Sequence, residues 1–297
     1  MQAINVKDPA RAVLFALTAV LLWSTVATAF KWSLQTLSPA QLVFLAALFS
    51  TLFLGIVVGW QKKLHLLVST FLQRPLQFAL LGAINPCLYY WVLFEAYDRL
   101  PAQQAQTLNY TWAITLTLLS VPLLKHRVTR PQWLGAALGY FGAVIIATRG
   151  DLLALQFDST LGVLLALTST LLWSIYWIFN ARHQADPVVS LLLCFIIGTP
   201  WCAVLAGYQG ALWPDDWRGW LGAAYVGLFE MGITFILWLT ALRLTDSAAR
   251  IGNLIFLSPF LSLLFIYGLL GEAIHPATYI GLAFIVCGVL AQQWRRN

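Results

Sequence analysis

The stretch "LFEMGITF" puts one carboxylate, Glu230, about a dozen residues into a long apolar segment. A charged side chain at the centre of a bilayer costs at least ~2.5 kcal/mol, so such a residue is expected to face a cavity or a partner rather than lipid. Three chemistries fit it: carrying a proton, balancing a substrate ammonium, and donating a hydrogen bond in its protonated form. Thr234 and Trp238 follow at i+4 and i+8 and extend the same helical face. In "LLWSIYWIFN", Trp173, Trp177 and Asn180 recur at i, i+4 and i+7 and share a face in the same way. Asn85 and Tyr89 stand in a third segment, where Pro86 removes a backbone donor and predicts a kink or local opening. Asn109 and Asn253 are polar groups inside apolar helices, suited to substrate contact or to helix–helix hydrogen bonding. With Trp23, Ser24, Trp91 and Trp112, these residues predict an aromatic chamber with a few polar anchors. An aromatic box of this kind suits a cation as well as an amphipathic zwitterion. Glu95 lies near the end of its segment, within reach of interfacial water or Arg99.

The elements that must hold this chamber are membrane helices. Of the 297 residues, 60% are hydrophobic and 9% charged, against about 25% charged in soluble domains. The apolar stretches approach the ~20 residues a helix needs to cross the hydrocarbon core, which excludes a transmembrane β-barrel. Breaking the chain at charges and Pro/Gly/Asp clusters gives ten spans, at 10–30, 39–59, 75–98, 101–123, 129–149, 159–181, 187–208, 217–242, 246–270 and 275–294. The connections are short and leave no soluble domain. The first span has basic residues before it and Ala27-Thr28-Ala29 within it, as a signal peptide does. It is expected to be retained, because cleavage would remove one copy of the repeat described below. Cys87, Cys194, Cys202 and Cys287 lie in apolar stretches without CxxC spacing and read as packing residues. His65, His126, His183 and His275 fall in loops or at span ends, so no metal site is expected. No Walker motif or other cofactor signature is present, and ATP is not expected as the direct energy source. Trp60, Trp133, Trp213, Trp217, Trp220 and Trp294 fall near span ends, where interfacial anchors belong.

Charge then orients the spans. With the N-terminus cytoplasmic, one side holds Lys7, Arg11, Lys62, Lys63, Arg74, Lys125, Arg127, Arg130, Arg182, Arg243, Arg250, Arg295 and Arg296. The other holds Lys31, Arg99, Arg149 and Arg218. By the positive-inside rule both termini are cytoplasmic. The formal net charge of +6 is thus spread over topogenic loops and does not point to nucleic acid.

Between Leu14–Ser24 and Leu164–Ser174, eight of eleven positions are identical, both copies ending in "LLWS". Asn109 matches Asn253 at an offset of 144, Asn85 matches Glu230 at 145, and Gly135 and Gly142 match Gly281 and Gly288 at 146. The chain therefore reads as two five-span repeats, residues 1–150 and 151–297, joined by "RGDLLALQFDST" (Arg149–Thr160). Five is odd, so the halves enter the membrane from opposite sides, an architecture found in secondary transporters that alternate access around a midplane site. Trp23 lies twelve residues beyond Arg11, roughly 18 Å along a helix. Trp173 enters equally far from the other face, so both are expected near the midplane. The glycines Gly135, Gly139, Gly142, Gly281 and Gly288 read as close-packing positions.

The ten spans, the repeated "LLWS" and the segment Ser258–Leu290, with Pro259, Gly271-Glu272, Gly281 and Gly288, resemble the EamA-type branch of the drug/metabolite transporter superfamily over nearly the whole chain. The first half departs where Lys125-His126 stands in place of a Gly-Glu pair. The resemblance implies secondary transport of a small metabolite, often amino acid export, across a bacterial inner membrane, with membrane lipids around it and a proton as candidate coupling ion. It names no substrate. Two other readings stay open: uptake of choline-like quaternary amines, and a membrane-embedded lipid-modifying enzyme, for which the short loops offer no convincing set of nucleophile, base or ligands.

Overall fold

A computed structural model describes residues 7–124, 129–153, 157–180, 185–210 and 212–293. Among them the secondary structure is helical, with no β-strand. Eleven helical segments follow in order: α1 (Pro9–Ser33), α2 (Pro39–Trp60), α3 (His65–Gln73), α4 (Pro75–Arg99), α5 (Ala102–Leu124), α6 (Arg130–Ala147), α7 (Thr160–Asn180), α8 (Pro187–Tyr208), α9 (Trp217–Leu244), α10 (Ile251–Leu270) and α11 (Pro276–Gln293). Eight of them, all but α3, α6 and α11, are long and apolar enough to cross a membrane. The protein is thus a polytopic helical membrane protein, and its helices stand where the spans were expected.

Local chemistry explains the helix starts. Asp8 accepts from the Arg11 N–H and Asp186 from those of Val188 and Val189, each ahead of a proline whose missing N–H is no loss in a first turn. Ser38 and Gln41 form a reciprocal capping box at the head of α2. Gly271, with φ of 66°, ends α10 in the left-handed conformation that favours glycine. Along α1 the small residues Ala12, Ala16 and Ala19 face inward while Leu14 and Leu21 are exposed. This follows the logic of helices in lipid, where close backbone approach rather than hydrophobicity drives association.

Only α3 was not expected. Nine residues are too few to span, and the flanking Lys62, Lys63 and Arg74 made the stretch read as a loop. Its stripe of Leu64, Val68, Leu72 and, just beyond, Leu76 is exposed, as in a helix lying along a membrane interface.

Helix pairing follows a regular scheme. α1 packs on α9 and α10, as α7 packs on α4 and α5; α2 packs on α9 as α8 packs on α4. α2 also packs on α8, and α6 on α11. Exchanging α1, α2, α4, α5 and α6 for α7, α8, α9, α10 and α11, in that order, leaves the scheme unchanged. The α6–α11 seam is close on both sides: a Cβ on Gly142 would stand 2.4 Å from the Gly281 carbonyl oxygen, and one on Gly281 2.5 Å from that of Gly142. These glycines are close-packing positions.

Four helices are interrupted within their length. In α4, residues Ala83–Leu88 form a π-helical turn in which Asn85 leaves the helical region (φ −128°, ψ 114°), as Pro86 led one to expect. In α9 a π-helical turn covers Val226–Glu230. The regular helix of α5 stops at Asn109 and resumes at Trp112. In α10 a 3-10 turn covers Leu254–Leu257.

Near the helix ends, Trp60, Trp133, Trp213, Trp217 and Trp220 are exposed. Cys87, Cys194 and Cys202 are buried free thiols, and Cys287 is exposed. Trp294, His126, His183, Lys125, Arg127, Arg182, Arg295 and Arg296 lie outside the described residues.

Candidate functional site

A cavity of about 1580 Å³ runs through the interior. It reaches the surface at the head of α6, where Thr129 and Arg130 are exposed and line it together with Gln132. At its far end it stops at Phe30, Tyr97 and Gln106.

Nine sequence-derived candidates meet on its wall. Trp23, Trp173, Trp177 and Trp238 supply indoles, Tyr89 and Trp112 further rings, and Asn109, Asn253 and Glu230 the polar groups. Trp23 and Trp173, the two copies of the repeated tryptophan, meet across Phe235, with ring centroids at 5.7 and 6.2 Å. Trp238 leans on Trp23 at 5.5 Å, and Tyr89 stacks on Trp173 at 4.5 Å. Trp177 meets Trp173 edge-on at 5.8 Å. Such edge-on and offset contacts fix ring orientation and present both faces and edges to a guest.

Glu230 ends the π-helical turn of α9. Its Oε1 accepts a hydrogen bond from the Tyr90 hydroxyl at 3.1 Å, while Oε2 is buried without a protein partner. The Gln106 Oε1 and the Trp177 N–H are buried without partners on the same wall. Buried polar groups are nearly always satisfied in folded proteins, so three orphans on one cavity wall mark the positions where a guest or water completes the bonding. Asn109 is otherwise engaged, donating to the Ser169 hydroxyl at 2.9 Å. The Trp112 carbonyl, at the head of the second part of α5, accepts from the Ser174 hydroxyl at 3.1 Å.

Four candidates do not reach the cavity. Ser24 is 100° around α1 from Trp23 and donates to the Val20 carbonyl at 2.6 Å and to Ser258 at 3.3 Å, in the packed contact with α10. Trp91, two residues past Tyr89, points to the other side of α4, where its N–H donates to Glu95 at 3.1 Å; Glu95 also pairs with Arg99. Thr234 was placed on the Glu230 face by assuming a regular helix. The π-helical turn and Gly232 (φ −122°, ψ −85°) change the register, so Thr234 is buried against the Phe229 carbonyl and Phe235 takes its place on the wall. Asn180 is the last residue of α7, where its face has run beyond the cavity.

The residues missed in the sequence are Gln106, Tyr110, Arg130 and Phe235. Gln106 had a signal, since "AQQAQTLN" is polar at the start of a span. Tyr110 and Phe235 are aromatic residues among many, and only the helix interruptions turn them inward.

Residues 10–148 and 160–291 match the EamA-like transporter family. A curated relative from Ancylobacter novellus, the aromatic amino acid exporter YddG, is 27% identical over 281 residues, covering 93% of this chain and 95% of its own. An uncharacterized transporter from Archaeoglobus fulgidus is 24% identical over 281 residues, with the same coverages. A solved crystal structure with 24% identity superposes with a TM-score of 0.65 over 96% of both chains, a likeness of fold.

Proposed function

Because the chain belongs to the EamA-like transporter family, we propose that it exports a small amphipathic metabolite, an amino acid or a related zwitterionic or cationic compound, by alternating access. The class is that of a multi-pass inner-membrane transporter of small molecules. The finer reading takes residues 1–150 and 151–297 as two inverted five-helix repeats, which the regular pairing scheme of the helices supports. With the termini cytoplasmic, the cavity mouth at Arg130 faces the cytoplasm and the closed end at Phe30, Tyr97 and Gln106 faces outward. A cavity open to the cytoplasm is ready to load cargo for export.

One observation carries the reading. The repeated tryptophans, Trp23 and Trp173, converge on Phe235 in the wall that also holds Glu230. Rings of this kind bind flat apolar groups and cations. The unpartnered Oε2 of Glu230 and Oε1 of Gln106 accept hydrogen bonds, as an ammonium group requires. The relative named as an aromatic amino acid exporter supports an amino acid cargo and the outward direction. Glu230 is assigned the coupling role, exchanging a proton or balancing the cargo's positive charge.

The test is a binding screen on detergent-purified protein, scoring thermal shift against amino acids, quaternary amines and nucleosides, followed by counterflow in proteoliposomes with each hit. Stabilisation and counterflow by amino acids bear the proposal out. A response confined to quaternary amines replaces it with choline-like transport, and a screen with neither shift nor flux defeats both.

A further inference from the structure

The closed end of the cavity is held by the turn between α4 and α5, and that turn is clamped from two sides. Lys31, at the end of α1, donates to the carbonyl oxygens of Tyr97 at 2.7 Å and Leu100 at 3.0 Å, which terminate α4. Glu272, in the loop between α10 and α11, accepts from the backbone N–H of Ala102 at 2.9 Å and of Gln103 at 3.2 Å, which begin α5. A cation at a helix C-terminus and an anion at a helix N-terminus are each favoured by the helix dipole and by the orphan backbone groups there.

The Gln103 side chain adds to the same clamp. Its Nε2 donates to the Ala273 carbonyl at 2.9 Å, and its Oε1 accepts from the His275 N–H at 2.8 Å and the Thr278 hydroxyl at 2.7 Å. The clamp stands directly beyond the cavity's end. Phe30, whose ring lines the cavity, precedes Lys31; the Tyr97 ring lines it while the Tyr97 carbonyl binds Lys31; and Gln106 lies one turn along α5 from Gln103.

We propose that Lys31 and Glu272 are the outer gate of the transport cycle, closing the cavity by holding the α4–α5 turn and releasing it when cargo leaves. The proposal rests on the transporter reading. Its logic is that both charges belong to one set of packed helices and the turn to another: Lys31 is on α1, which packs on α9 and α10, and Glu272 follows α10, whereas the turn joins α4 and α5, which pack on α7. A rocking of one set against the other must therefore break these attachments, while the cavity mouth at Arg130 is free of them.

The test reads gate position without any cargo. Gln106→Cys, in a background lacking the four native cysteines, puts one reactive thiol at the closed end of the cavity. A membrane-impermeant maleimide sulfonate is applied to right-side-out vesicles and, separately, to inverted ones. In the otherwise unaltered chain, labelling from outside is expected to be slow and labelling from inside fast. Glu272→Gln and Lys31→Gln, acting on α5 and α4 respectively, are each expected to raise the outside rate about tenfold, a typical loss for a charge-assisted hydrogen bond. The inside rate is expected to stay within about twofold, which also reports that the chain is folded; Glu272→Asp, which keeps the charge, should return most of the outside protection. Unchanged outside labelling in both glutamine variants, with inside labelling preserved, overturns the gate. Because no cargo is involved, a shift in labelling without flux of any metabolite supports the gate and defeats the transporter reading, whereas flux without a shift does the reverse.

Discussion

Gly142→Ala probes the close seam between α6 and α11, and its cost follows from distances. The added methyl would lie 2.4 Å from the Gly281 carbonyl oxygen, 2.8 Å from the Phe284 Cβ and 3.1 Å from the Ile285 nitrogen, against ordinary contact beginning at 3.4 Å. Two of the three obstacles are backbone atoms of α11, so no rotamer change relieves them, and α6 must move away by about 1 Å. Overpacking of this kind costs about 1–3 kcal/mol. The intrinsic preference of a helix for alanine returns about 1 kcal/mol, which leaves a net loss of up to about 2 kcal/mol. At roughly 2–4 °C per kcal/mol for large domains, the apparent melting temperature should fall by up to about 8 °C, and by more than that relative to sites where only the helix preference acts. Gly55→Ala and Gly268→Ala are the controls, because a Cβ at either position meets nothing within 4 Å; only the helix preference acts there, and stability should hold or rise. The assay is tryptophan-fluorescence unfolding of detergent-purified protein at one scan rate, since membrane-protein unfolding is often irreversible. A Gly142→Ala melting temperature equal to that of the controls would refute the reading of the seam as close-packed.

Three further outcomes are expected. Glu230→Gln keeps an acceptor for the Tyr90 hydroxyl but carries no charge, so flux in proteoliposomes should lose its dependence on pH, or cationic cargo should bind about tenfold more weakly; an unchanged profile and affinity remove Glu230 from the mechanism. Trp23→Ala should weaken binding at least about tenfold through loss of a cavity-wall aromatic, while Trp91→Ala, whose ring is tied to Glu95 off the wall, should leave affinity within about twofold; calorimetric titration of the two variants side by side decides it. At the head of α8, burial pushes the Asp186 carboxyl up, but the hydrogen bond from Lys63 at 2.7 Å and the N–H groups of Val189 and Val188 outweigh it and hold the group below its ordinary value. A lowered folded-state value means stabilisation that is complete above the unfolded value of about 3.9 and is lost as pH falls through the folded one. Asp186→Asn should therefore melt earlier than the unaltered chain at pH 7, and the gap should close on acidification below about pH 4; a gap that persists in acid would assign it to the cap rather than to the charge.

The spans were legible because apolar runs, charges and the pairing of a cap with proline are local signals, and each of Asp8-Pro9, Ser38-Pro39 and Asp186-Pro187 opens a helix where it stands in the sequence. Much of the cavity wall was legible for a different reason: the repeat identified Trp23 with Trp173 and Asn109 with Asn253, and all four line the cavity. The misreadings come from rotation. A face extrapolated along a regular helix fails as soon as the helix changes pitch, and Thr234 lost its place to Phe235 through one π-helical turn and Gly232. Sequence spacing carries no sign of that turn, since a π-helical insertion depends on what the neighbouring helices leave room for. Ser24 and Trp91 failed more simply, because proximity in sequence to a wall residue says nothing about azimuth.

The polar residues and the helix interruptions fall together. Asn85 lies inside the π-helical turn of α4, Glu230 ends that of α9, Asn109 ends the first part of α5, and Asn253 immediately precedes the 3-10 turn of α10. Away from water, an interrupted helix exposes backbone groups that need partners, and membrane proteins tolerate such breaks where they are buried in protein or line a cavity. The same condition makes a buried carboxylate or amide affordable. Each polar residue that looked costly in an apolar span is therefore found where the span is no longer a regular helix. In this chain Asn109, Glu230 and Asn253 border the cavity, while Asn85 is fully packed, its Oδ1 without a protein partner. Asn85 and Glu230, 145 positions apart in the sequence, thus stand at similar backbone breaks, one a packed amide and the other a carboxylate on the cavity wall. The break supplies the position, and the side chain written at each decides which one brings an ionisable group to the cavity.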